Sequence, residues 1–245
     1  MLTFLRKIRR SLLESGSTKR YLIYAIGEVL LVMIGILLAL QVNKWNEERT
    51  YQKERDYLLA ELLTEFEGNF EKLQRSYQGN QFIIAKNDST IMALRKLSFP
   101  GDEIVLSDLL AESRILNLAT FNPSDGLINS MLNTSNLEHV KDKTLRRNLL
   151  NWSGYVNDLK ENENESWDDR APMADYLARI SVFKYDQDLE DYVPYESTVS
   201  LNPLELRNKL IHSRKLKNYV IDESERLGQK MQEIIQQLRK EIDNK

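Results

Sequence analysis

The sequence predicts an all-α protein with one N-terminal transmembrane helix followed by an elongated helical bundle. Three observations predict this fold class. A 22-residue apolar run lies near the N-terminus, apolar residues beyond it recur at spacings of three and four, and glycine and strand-like alternation are scarce. With 245 residues, 42% apolar and 29% charged, the chain is long enough to bury a core and too apolar for disorder.

The apolar run covers residues 21–42 and holds one ionisable side chain, Glu28. At 1.5 Å per residue, a helix of this length reaches about 33 Å, enough to cross the hydrocarbon core of a bilayer. A cleavable signal peptide is the competing interpretation. Its apolar region would be shorter and would precede a small-x-small site, whereas this run leads into Lys44 and Trp45. We therefore predict an uncleaved transmembrane helix.

Charge is unevenly distributed along the chain. The 34 basic and 37 acidic residues nearly cancel, so no global positive field indicates nucleic-acid binding. The first 20 residues hold one acid and six bases: Arg6, Lys7, Arg9, Arg10, Lys19 and Arg20. Under the positive-inside rule this flank is cytoplasmic. We expect a basic cytoplasmic segment (1–20), a transmembrane helix (21–42) and a helical periplasmic domain (43–245).

Two motifs in the first 50 residues are specific: the basic start FLRKIRR at 4–10, and YAIGE…GI..ALQ.N.WNE at 24–47. They resemble the N-terminal signature of an uncharacterised family of single-span inner-membrane proteins of Bacteroidetes-type bacteria. Beyond residue 50 the resemblance is looser and covers FNPSDGLINSML (121–132) and LRRNLLNWSGY (145–155). The resemblance implies an inner-membrane anchor with a periplasmic helical domain, and it implies no activity.

One face of the predicted membrane helix carries Glu28, Gly35 and Ala39. Gly35 and Ala39 form a small-xxx-small pair that lets a second helix approach closely. A carboxyl about 10 Å inside the apolar run is costly, so Glu28 should face protein or water rather than lipid. Three roles for Glu28 follow: a helix–helix contact, snorkelling to the headgroups, or carriage of a proton.

The outer region begins with a heptad pattern that predicts a long helix from about residue 45 to 97. Its seam alternates spacings of four and three: Leu59, Leu63, Phe66, Phe70, Leu73, Tyr77, Asn80, Ile84, Asn87, Ile91 and Leu94. The seam either mediates self-association or packs within the chain, and the C-terminal helix favours the second because it offers a matching apolar face. At Asn80 and Asn87 a polar residue either fixes register or marks where the partner helix diverges.

Mixed helices are predicted between residues 104 and 180. Cap residues and apolar spacing place them at 107–118, 124–132 and 143–163, and Pro172 starts or kinks the next. Residues 182–201 are predicted to form a loop. A C-terminal helix (203–243) follows, because Asn202 and Pro203 suit its N-cap and first position, and we expect it to lie antiparallel to the first helix.

The residues of known catalytic and metal sites are largely missing. The chain has no cysteine and two histidines, which excludes thiol nucleophiles, disulfides and almost every zinc site. Glu138, His139 and Asp142 have metal-ligand spacing, which a solvated helix face also explains. The acidic stretch at 186–190 lacks the glycine and glutamate of an EF-hand loop. We predict no cofactor, no metal and no enzymatic activity, with a dispersed carboxylate site as the remaining catalytic alternative.

The expected function is therefore non-enzymatic. We expect a bacterial inner-membrane protein whose periplasmic helical domain engages itself or another envelope component, as a scaffold or interaction protein. Its expected partners are the membrane and either a second copy of the chain or another envelope protein, not nucleic acid. Two alternatives stay open: a ligand sensor acting through a partner, and an accessory stator-like subunit of a proton-driven envelope complex, which rests on analogy.

Overall fold

The computed structural model describes residues 18–96, 114–180, 182–186, 191–196 and 203–243. These residues are predominantly helical, which confirms the all-α prediction. The chain divides after Tyr57 into two units. The basic residues Arg6, Lys7, Arg9 and Arg10 lie outside the described residues, as does most of the helix predicted at 107–118.

Helix α1 extends from Thr18 to Lys96 and combines the helices predicted at 21–42 and about 45–97. Residues 43–57 contain no glycine or proline, so nothing in the sequence interrupts the helical hydrogen bonds there. Side-chain pairs one turn apart add support in this stretch: Asn43 Nδ2 donates to Glu47 Oε1 at 2.7 Å, and Gln52 Nε2 donates to Glu48 Oε1 at 2.8 Å.

The remaining elements belong to the second unit, Leu58–Lys245. Its helices are α2 (Gly126–Asn133), α3 (Lys143–Leu150), α4 (Trp152–Asp168), α5 (Arg170–Ile180) and α6 (Pro203–Asp243), with a 3-10 helix at Ser135–His139 and strands β1 (Val182–Asp186) and β2 (Asp191–Glu196). Helix α6 has the predicted bounds, and α2 lies within two residues of the predicted ones. Pro172 lies in the first turn of α5, where its missing N–H has no helical partner to lose.

Three local predictions are wrong. The helix predicted at 143–163 is divided at Asn151, whose backbone (φ −92°, ψ 2°) leaves the helical region; asparagine tolerates such turn conformations well. Residues 114–118, the end of the helix predicted at 107–118, are not helical. The predicted loop at 182–201 contains an antiparallel hairpin of β1 and β2.

The hairpin has a local cause in the sequence. Both strands are rich in valine, phenylalanine and tyrosine, which favour extended backbone. Pro194 is tolerated because each strand of a two-stranded sheet has an edge that needs no N–H donor. Phe183 pairs with Pro194 and Lys184 with Val193.

Helices α1 and α6 pack antiparallel, as predicted. Side-chain pairs join the part of α1 in the second unit to α6: Glu67 with Arg239 at 2.6 Å, Tyr77 with Glu225 at 2.6 Å, and Asp88 with Arg214 at 2.7 Å. The residue number on α6 falls as the number on α1 rises, which fixes the relative direction. The seam therefore packs within the chain.

The buried face of α1 is rotated relative to the predicted seam. The predicted residues Leu59, Phe66, Leu73, Asn80, Asn87, Ile91 and Leu94 are buried, but Leu63, Phe70, Tyr77 and Ile84 are only half-buried. The buried positions between them are instead Leu62, Asn69, Ser76, Ile83 and Thr90. The rotation arises because α6 covers one side of α1 and the irregular segment before α2 covers the other.

Two hydrophobic cores form among the described residues of the second unit. The larger one includes Phe66, whose ring meets that of Trp152 edge-on at a centroid distance of 4.8 Å. The smaller one contains Ile91, Leu94, Ile115, Met173, Leu177, Leu206 and Leu210. Members of both cores come from helices far apart in the sequence, so α1 and α6 are needed to close each of them.

This packing predicts the effect of charge in the seam. Phe66→Glu or Leu73→Glu places a carboxylate at a fully buried position, so each should lower the free energy of unfolding by at least about 3 kcal/mol. Urea unfolding of the full chain in detergent, followed by circular dichroism, measures this. Met92→Glu is the control, since Met92 is 62% exposed on the same helix. A variant that changes oligomer mass but unfolds like the wild type contradicts the prediction.

Candidate functional site

The N-terminal part of α1 presents apolar side chains on all sides. Its most apolar 18-residue window has a mean hydropathy of 2.4, and none of that window is buried. Leu31, for example, is 73% exposed. A core helix of a water-soluble protein with this composition would be covered by other elements. Among the described residues, this is the one helix long and apolar enough to span a membrane.

The predicted contact face of this helix carries small residues at its centre. Gly35 and Ala39 are exposed, and no other described atom lies within 4 Å of where a Cβ on Gly35 would be, the backbone of its own helix aside. Glu28 is partly buried and Lys19 is exposed. This surface is therefore available to a second helix, and its role in assembly stays a prediction.

In the second unit, an irregular segment runs along α1 before α2 begins. We call residues 114–125 the strap. Asn80 holds it through both ends of its amide: Nδ2 donates to the Ala119 carbonyl at 2.7 Å, and the Ala119 N–H donates to Oδ1 at 2.9 Å. Asn69 holds Ser124 in the same way, at 2.6 and 2.7 Å. A carboxamide carries a donor group and an acceptor, as a peptide unit does. It can therefore make the pair of backbone hydrogen bonds that a neighbouring strand makes in a sheet.

Carboxylates complete the attachment of the strap and of the helix after it. Glu65 accepts from the backbone N–H groups of Leu127 at 3.1 Å and Ile128 at 3.2 Å, which caps the first turn of α2. Glu163, buried in α4, accepts from the N–H of Phe121 at 2.7 Å. Two helices therefore hold the strap from different sides.

The close approach of the strap also explains a glycine in α1. A Cβ on Gly79 would lie 2.9 Å from Cβ of Ala119, which is closer than two carbon atoms can pack. Glycine at this position lets the strap reach the amide of Asn80. The seam asparagines thus differ: Asn80 fixes the register of the strap, whereas Asn87 is fully buried with neither end of its amide hydrogen-bonded to a described residue.

Sequence reasoning singled out Asn80 but missed Asn69, Glu65 and Glu163. A signal for Asn69 was present, because it lies three helical turns before Asn80 on the same face. Glu163 gives no such signal, since its role depends on which segment α4 packs against.

A buried lysine lies near the start of the strap. Lys217 is 3% exposed, and its Nζ donates to Ser213 Oγ at 2.8 Å and to the Ile115 carbonyl at 3.3 Å. Burial lowers the pKa of Lys217 to about 8, and the charge of Asp169 opposes that shift. A serine–lysine contact can activate a nucleophile. The cavity beside this contact is about 10 Å³, room for about one water, and in this structure Lys217 joins α6 to the strap.

An open cleft of about 530 Å³ lies between α5 and the start of α6. Asp169 Oδ1 is 3.8 Å from His212 Nε2 there, and Glu205 and Lys209 line the same cleft. Its charges are of both signs. No group of three or more metal-ligating side chains lies together in the described part of the chain.

The candidate trio Glu138, His139 and Asp142 does not share a helix face. The 3-10 helix ends at His139, and the carboxylate of Asp142 caps α3 by accepting from the N–H groups of Thr144 and Leu145. The acidic stretch at 186–190 lies mostly outside the described residues, since only Asp186 belongs to β1.

No protein-family model, curated protein or solved structure matches this chain. The likeness to single-span inner-membrane proteins therefore stays an expectation based on the N-terminal motifs.

The two seam asparagines give a matched pair of variants. Asn80→Leu removes both bonds to Ala119. It leaves the partly buried Ala119 N–H without a partner and its carbonyl with only the 3.4 Å bond from Ser76 Oγ, so it should lower the free energy of unfolding by about 1–3 kcal/mol. Asn87→Leu removes an amide that has no partner among the described residues and should leave stability unchanged or raise it. Urea unfolding compares the two. Equal destabilisation by both variants would refute the role of the Asn80 amide.

The carboxyl of Glu163 predicts how stability depends on pH. Burial raises its pKa from 4.5 to about 7, although the Phe121 N–H and the charge of Lys160 act against this. Between these pH values the folded state holds the proton more tightly than the unfolded state, so the free energy of unfolding falls as pH rises from 4.5 to 7, by up to roughly 3 kcal/mol.

Glu163→Gln should remove this dependence, because glutamine still accepts from Phe121 but carries no charge. We expect the variant to match the wild type near pH 4.5 and to exceed its stability at pH 8, as measured by urea unfolding across this range. Glu161→Gln, at an exposed position of the same helix, is the control. If the free energy of unfolding of Glu163→Gln falls with pH as steeply as that of the wild type, the Glu163 carboxyl does not cause the pH dependence.

Proposed function

We propose that this protein is a non-enzymatic, membrane-anchored helical protein that holds an interaction domain outside the inner membrane of a bacterium. The observation that carries the proposal is the unburied apolar window in the first part of α1. Exposing that much apolar surface to water is unfavourable at about 25 cal/mol per Å². Insertion into a bilayer removes this penalty without any further protein contact.

The second unit supports this division of roles. All buried members of its two described cores lie between Leu59 and Leu238. Its apolar interior is closed by its own helices, so the N-terminal segment is not required to complete it. An anchor and a separately packed domain suit a protein that positions an interaction surface.

The orientation in this proposal rests on charge. Six bases precede the apolar run, including Lys19 and Arg20 at the start of α1, and such a flank is retained in the cytoplasm. The second unit is then periplasmic. The face with Glu28, Gly35 and Ala39 is the proposed contact with a second copy or another envelope protein, since small residues let helix backbones approach.

The absence of cysteine from the sequence permits a direct test of this topology. Ser11→Cys and Ser153→Cys each introduce a single thiol, the second at an exposed position of α4. A membrane-impermeant maleimide added to intact spheroplasts should label Ser153→Cys and should label Ser11→Cys only after lysis. Labelling of Ser11→Cys in intact spheroplasts overturns the orientation. Release of the Ser153→Cys protein as a shortened soluble product overturns the anchor.

A further inference from the structure

The small cavity beside Lys217 lies where the strap meets α4 and α6. Its volume is about 10 Å³, which is room for about one water. The residues that line it include Asn117 of the strap, Ser166 of α4, and Ser213 and Lys217 of α6. All of them belong to the second unit, so what the cavity binds does not depend on how the anchor is oriented.

Ser166 is the first residue that indicates a ligand in this cavity. Its side chain is buried, with 4% of the residue exposed, and its Oγ makes no hydrogen bond to any other described residue. A serine within a helix often donates to the carbonyl one turn earlier, here that of Asn162, but Ser166 does not. A buried hydroxyl without a partner is unfavourable, so a ligand that bonds to it would stabilise this site.

Lys217 is the second such residue. Its ammonium has three N–H groups, and two of them donate to Ser213 Oγ and to the Ile115 carbonyl. The third has no acceptor in the described part of the chain, although Lys217 is 3% exposed. Burial lowers its pKa to about 8, so the amine still carries its proton in most molecules at pH 7.

The chemistry of the lining selects the ligand. Asp169 also lines the cavity, and its charge favours the ammonium form of Lys217. The ligand must accept a hydrogen bond from Lys217 and donate one to an oxygen of Ser166 or Asp169. A metal cation cannot accept a hydrogen bond, and a halide ion cannot donate one and is larger than the space. Water does both and fits.

We propose that this cavity binds one internal water that bridges Lys217 Nζ and Ser166 Oγ. A water-mediated hydrogen bond is nearly as favourable as a direct one. The water therefore joins α4 to α6 at the point where Lys217 already holds the strap. Asp169 and Met173 line both this cavity and the open cleft between α5 and α6, so water can enter from the cleft when these side chains move.

A high-resolution crystal structure of the full chain in detergent tests the proposal directly. We expect an ordered water within about 2.7–3.2 Å of both Lys217 Nζ and Ser166 Oγ. Well-ordered side chains without a water between them overturn the proposal. Crystals soaked in bromide identify the ligand further, because an anomalous peak in the cavity would show that it binds an anion instead of water.

Thermal unfolding of Ser166→Ala in detergent is the test in solution. Ser89→Ala is the matched control, since Ser89 is an exposed helical serine whose hydroxyl donates only to Ala85 of its own helix. Loss of a hydrogen bond to the water should make Ser166→Ala unfold about 2–6 °C below Ser89→Ala. In a dry cavity the same change removes an unpaired hydroxyl, so an unfolding temperature equal to or above that of Ser89→Ala overturns the proposal.

Discussion

The second unit depends on hydrogen bonds to the backbone of the strap, a segment that has no regular secondary structure. Every N–H and C=O that the strap takes from water must find another partner, or each one costs about 1–3 kcal/mol. A sheet would supply these partners from a neighbouring strand, but the strap lies among helices whose own backbone groups are already paired. Side chains must therefore supply the hydrogen-bond partners. Asn80 does this with paired bonds to Ala119, and Asn69 with paired bonds to Ser124.

This requirement explains several other features. It places polar residues on the buried face of α1, where an apolar residue would pack as well but leave the strap unpaired. It also favours glycine at position 79, because the strap passes closer than a methyl group allows. The buried carboxyl of Glu163 follows from the same need. It accepts from the Phe121 N–H, while its burial raises its pKa because the charged form is unfavourable away from water.

The sequence predicted the helices better than the strap, and the reason is physical. Apolar periodicity indicates which side of a helix is buried, so the bounds of α6 and the C-terminal end of α1 are predicted to within a few residues. It does not report what covers that side. The predicted seam assumes that one helix packs against α1. It omits Leu62 and Asn69, which are buried because the structure covers α1 on a second side as well. Residues 114–118, the described end of the helix predicted at 107–118, are not helical because local propensity yields to side-chain partners contributed by distant residues.

The antiparallel pairing of α1 with α6 has a consequence for the order of folding. Glu67 and Arg239 are 172 residues apart in sequence, so the apolar face of α1 finds its cover only after most of the chain has been synthesised. Contacts of such long range slow folding and leave apolar surface uncovered in the meantime. A chain synthesised from its N-terminus must therefore keep the apolar face of α1 shielded until α6 has been made. In the second unit, the native core can therefore form only once α6, the last helix of the chain to be made, has been synthesised.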